Sequence, residues 1–131
     1  MGGHKMVDQE KVRVGQKIVR VVAAVHIVMS FVHFFVNLYT YHFFSIAFVI
    51  LVCHIGLAVA LIRGFMLVRY LMAANAAFVA WGAADVLLSE NLSLWVVLFH
   101  LLIFVVAVWA SYLLFFNKSV TAYMLERNDG G

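Results

Sequence analysis

Four histidines, His26, His33, His54 and His100, and one acid, Asp85, stand inside long apolar stretches of the sequence. Imidazole titrates near neutral pH and has two ring nitrogens, so such residues can relay protons or ligate metals. Two of them on facing helices can hold a haem iron axially or bind a transition-metal ion. Asp85 can orient an imidazole or balance a cation, as carboxylates behind metal ligands do. The plainer role is packing: each histidine hydrogen-bonds a neighbouring helix and fixes the packing, worth about 0.6–2 kcal/mol. For any single histidine packing ranks first, a ligand role second and a relay third.

The densest run of such groups lies in Ile18 to Tyr39, where His26, Ser30, His33 and Asn37 follow at spacings of four, three and four. On a helix these four share one face. A polar stripe in a membrane span is costly against lipid, so it is expected to face other helices or a wet cavity. With Asn75, Asp85 and His100 it forms the candidate lining of a proton or ion path. Ser30 is read as a helix-packing hydroxyl.

Other chemistry finds no support. No Cys–His cluster suited to zinc, carboxylate pair, phosphate-binding loop or placed nucleophile can be identified in the sequence. The single cysteine, Cys53, falls near the middle of an apolar stretch and cannot form an intramolecular disulfide. It reads as a buried structural thiol.

The elements that must position these groups follow from composition. Of the 131 residues, 66% are hydrophobic and 11% charged, which excludes an ordinary soluble domain. Four apolar segments stand out, at about 18–39, 43–62, 70–88 and 94–116. Each is long enough for a helix to cross roughly 30 Å of hydrocarbon. The expected fold is an all-α integral membrane protein with four transmembrane helices in an up-down antiparallel bundle. Residues 1–17 read as a polar tail able to extend span one as a helix from Asp8, and 117–131 as a second tail, frayed from Asn128. The first span is too long for a cleaved signal peptide and should remain as an anchor.

All nine Lys and Arg lie before or in the first turn of span one, between spans two and three, or after span four. The connections around Thr40 and Glu90 carry none. This is the positive-inside pattern, so both termini are expected to be cytoplasmic, with anionic lipid as the partner of the charges. A nucleic-acid role is not expected. Aromatic and polar residues near the outer end of span one, Tyr39, Tyr41 and His42 among them, suit an interfacial belt.

Depth along straight helices sorts the histidines into two layers. His33 and His100 fall roughly 9 Å below the outer boundary, while His26 and His54 fall about 17–20 Å deep. His26 with His54 is therefore the preferred pair for a haem b or a metal ion, and His33 with His100 the alternative. Small residues repeat every four positions at Gly56, Ala60 and Gly64, and span three is rich in alanine, which suits close helix approach.

The ending WASYLLFFNKSVTAYML closes an aromatic-rich span with a polar-basic step, then valine and an aromatic residue. It is similar to a recurring ending in uncharacterised small four-span bacterial inner-membrane proteins, the matching residues being Tyr112, Lys118, Val120 and Tyr123. That resemblance covers the last sixth of the chain and implies a bacterial inner-membrane location with no activity attached. The functional expectation is a non-enzymatic accessory or assembly subunit, as a homo-oligomer or within a larger membrane complex. A haem- or metal-binding protein and a small proton or ion channel are the alternatives.

Overall fold

The computed structural model describes residues 2–41, 44–89 and 91–129, and the side chains of 2–8, Asn37, Thr40, Tyr41 and Asp129 lie outside that description. Five helices follow one another: α1 (Gly2–Tyr41), α2 (Phe44–Ile62), α3 (Met66–Leu87), α4 (Leu94–Phe116) and α5 (Lys118–Asp129). No strand occurs among the described residues. Four helices contain segments long and apolar enough to cross a membrane: Gln9–Val36, Phe44–Ile62, Met66–Leu87 and Leu94–Phe116. Helices are what such segments must form, because hydrocarbon has no water to satisfy a free N–H or C=O. The fold is all-α with four candidate spans.

The described chain divides into two compact units, one running to Val68 and resuming at Lys118, the other covering Arg69–Asn117. In the first unit α1 and α2 run antiparallel: the rings of His26 and His54 meet, and eight residues later in α1 Phe34 meets Phe44 at the start of α2. Val19, Val22, Ala23 and Ser30 of α1 are buried, as are Ala47, Leu51, Ala58 and Leu61 of α2. Those spacings each describe one helical face.

The expected tails are both helical. Residues 2–17 continue into the first span as one 40-residue helix, about 60 Å long and twice the thickness of a bilayer core. The C-terminal segment forms α5, and Asn128 lies within it. Val120, Tyr123 and Met124 bury one side of α5. The helix packs on the N-terminal half of α1, where a Cβ built on Gly15 would overlap the Ser119 carbonyl. Only glycine lets the two backbones come this close.

Gly64 has a different task from the one its spacing with Gly56 and Ala60 suggests. Its φ is +88°, Phe65 N–H donates to the Ala60 carbonyl over 3.3 Å, and Gly64 N–H donates to Leu61 over 3.0 Å. That pattern is a Schellman stop, which ends α2 and turns the chain. A Cβ on Gly64 would also lie 2.6 Å from Cβ of Arg127. Gly56, by contrast, has open space around it.

In the second unit, Met72, Ala73, Ala80 and Ala83 of α3 and Ile103, Ala107 and Leu114 of α4 are buried. The hydroxyl of Ser111 donates to the Ala73 carbonyl over 3.0 Å, tying α4 to α3. Between them Asn91 adopts φ +62°, a left-handed turn that asparagine tolerates. Ser93 caps α4, its hydroxyl accepting from Val96 N–H over 3.4 Å.

Candidate functional site

The first unit brings together the preferred histidine pair. His26 and His54 stack with ring centroids 5.1 Å apart and ring planes 23° from parallel. Nδ1–H of His54 donates to the Ile50 carbonyl one turn back over 2.8 Å. A carbonyl oxygen can only accept, so this bond puts a proton on Nδ1. Nε2 of His26 is buried and has no hydrogen-bond partner. An unsatisfied buried polar atom costs on the order of 1–3 kcal/mol, so it is a feature that calls for a reason.

The stack has a consequence for haem. Axial ligation puts iron in the plane of each imidazole, with the ring edges pointing at each other across the macrocycle. Here the faces of the two rings are opposed, and there is no slot between them for a porphyrin. As packed, His26 and His54 do not fit a shared haem, and among the described residues no group of three or more His, Cys, Asp or Glu could hold a metal ion.

The remaining polar positions are dispersed. The hydroxyl of Ser30 is turned inward and donates to the His26 carbonyl over 2.7 Å. His33 is exposed, with Nδ1–H donating to the Met29 carbonyl over 2.8 Å. His100 is half-buried and repeats the arrangement with Val96 over 2.9 Å, its ring edge-on to Phe99. His33 and His100 belong to different units, and each bonds through Nδ1 to a carbonyl of its own helix. Asn75 is half-buried. Asp85 is exposed one turn before Ser89, whose hydroxyl donates to the Asp85 carbonyl over 3.3 Å. The Asn37 side chain, His42 and Glu90 lie outside the described residues. Cys53, expected to be buried, is exposed. It faces outward because α2 turns Leu51 and Ala58 inward.

The polar contacts that organise the other ends of the helices were not among the sequence candidates. Arg69, read as a loop charge, sits inside α3 and is 1% exposed. Its guanidinium donates to the carbonyls of Leu114 and Phe115, the second over 3.2 Å. These are last-turn carbonyls of α4 that have no partner within the helix, so Arg69 caps it. In the first unit Tyr123 OH donates to the Ile62 carbonyl, and the Asn128 amide donates to Gly64 over 3.2 Å and to Met124 over 2.8 Å. One signal for Arg69 was present: it lies on the same face as Ala73, Ala76, Ala80 and Ala83, at helical spacings of four, three, four and three.

Comparison with known proteins returned no matching family model, no matching curated protein and no matching solved structure. The class defined by fold and composition is an all-α integral membrane protein. Within that class this chain has four candidate spans, and His33, His54 and His100 each bond through Nδ1 to a carbonyl of their own helix.

Proposed function

We propose that the protein is a non-enzymatic subunit that works assembled with other transmembrane helices, either copies of itself or a partner in a larger complex. The observation that carries this reading is His33. It lies within an apolar span, it is exposed, and its Nδ1 is already committed to Met29. An imidazole facing lipid is costly, and a neighbouring helix that accepts or donates at Nε2 removes that cost. The open surroundings of Gly56 and Gly82 supply places where another helix can approach closely. The distribution of Lys and Arg supports an orientation with the basic end of α1, and with it both termini, on the cytoplasmic side of a bacterial inner membrane.

Blue-native electrophoresis and crosslinking in mild detergent test the reading. The expected result is a discrete species larger than the monomer, reduced in His33→Leu. A strictly monomeric protein with no co-purifying partner would overturn it.

A second reading has its own observation. The partnerless Nε2 of His26, stacked on His54, is a ring nitrogen held without a hydrogen bond in the interior of an apolar helix. That is the arrangement a proton relay needs, and a flux measurement separates it from packing.

A further inference from the structure

The first unit contains a pocket of about 690 Å³ where α1, the turn after α2 and α5 converge. Its volume lies within the range of small-molecule sites, well above what one water or one small ion occupies. The polar groups on its wall are Arg63, Arg127, Gln16, Asn128 and Glu126, and Val12 and Phe65 supply an apolar side.

The state of the two arginines gives the pocket its chemistry. Both are exposed, and neither side chain forms a hydrogen bond or ion pair with the other described residues. The usual occupation for arginine beside a helix C-terminus is to cap its carbonyls. Here that work is already done: Tyr123 holds the Ile62 carbonyl and Asn128 holds that of Gly64. Two planar guanidiniums are left facing one volume against a single carboxylate, Glu126. Guanidinium forks match phosphate oxygens bidentately. Exposed Lys11, Arg13, Lys17 and Lys118 in the same unit add a positive field around the mouth.

Position selects the source of the anion. Arg63 is the residue immediately after the end of α2, so the pocket opens at the level where an apolar span gives way to polar sequence. That is headgroup depth, and a basic pocket there meets phosphate carried on lipid. The apolar wall of Val12 and Phe65 suits a glycerol and acyl-ester portion beside the charge. We propose that this pocket seats the phosphate-bearing head group of an anionic phospholipid. The proposal depends on the transmembrane placement of α2 and is independent of the assembly reading above.

The full chain, purified in neutral detergent and titrated with phosphatidylglycerol, phosphatidylcholine or inorganic phosphate, tests it by native mass spectrometry. One phosphatidylglycerol per chain is expected to bind saturably and at least tenfold more tightly than phosphatidylcholine. The double variant R63Q/R127Q, checked for native helix content by circular dichroism, is expected to lose at least tenfold in affinity. The variant E126Q removes the opposing charge from an exposed position and is expected to bind more tightly. Should R63Q/R127Q fail to fold, the wild-type lipid preference and the tightening in E126Q decide the matter. Equal binding of the two lipids, unchanged binding in the folded double variant or in E126Q, or displacement of the lipid by inorganic phosphate at comparable concentration would each overturn the proposal.

Discussion

A guanidinium within an apolar span ordinarily marks an ion path or a substrate site. At Arg69 the surroundings give it another task, since its donors are directed at the unpaired carbonyls of Leu114 and Phe115. Helix C-termini carry partial negative charge, so the cation and the carbonyls stabilise each other. The ring of Tyr70 lies 5.3 Å from the guanidinium carbon and adds a cation–π contact. Replacing Arg69 by Met leaves the Leu114 and Phe115 carbonyls without this donor, a loss of about 1–3 kcal/mol. The expected outcome is a lower denaturation midpoint in detergent, together with faster amide exchange in the last turn of α4. Lys, a point charge that cannot fork, should recover only part of the loss. The sequence displayed Arg69 beside an alanine face, but charge near a span end reads first as a loop residue. Which of the two it is depends on where α3 begins, and Met66 proved to be that start.

At the scale of elements, the four spans were legible because a run of about 20 apolar residues has few alternatives to a transmembrane helix. The terminal segments were harder. The residues Lys118–Asp129 carry too few apolar side chains to announce a helix, and Val120, Tyr123 and Met124 become a buried face only because α1 lies beneath them. Gly15 permits that contact, and nothing in the local sequence MVDQEKVRVGQK distinguishes it from a flexible tail residue. Gly15→Leu should push α5 from α1, a cost of about 1–3 kcal/mol for overpacking a close contact. Trypsin is expected to cut after Lys118 or Arg127 several-fold faster than in the wild type, while cleavage after Arg69 stays unchanged. Equal cleavage after Lys118 and Arg127 in both proteins would show that α5 does not depend on this approach.

At the scale of the whole molecule, the sequence placed His26 and His54 at similar depth, and the structure brings their rings into contact. Depth follows from counting residues along a short antiparallel connection. Rotation of α2 about its own axis does not, and it decides whether two imidazoles present edges to a metal or faces to each other. The stacked faces leave packing and proton transfer as the competing roles, and His26→Phe separates them. Phenylalanine retains an aromatic ring against His54 and removes the partnerless Nε2. If packing is the role, the variant should be as stable as the wild type or about 1 kcal/mol more stable, because an unsatisfied buried atom has gone. Proton flux into liposomes should then be the same for wild type, His26→Phe and Asp85→Asn, and this is the expected outcome. A wild-type flux above protein-free vesicles that vanishes in folded His26→Phe would transfer the pair from packing to relay. Loss in Asp85→Asn as well would extend that path to the exposed carboxylate near the end of α3.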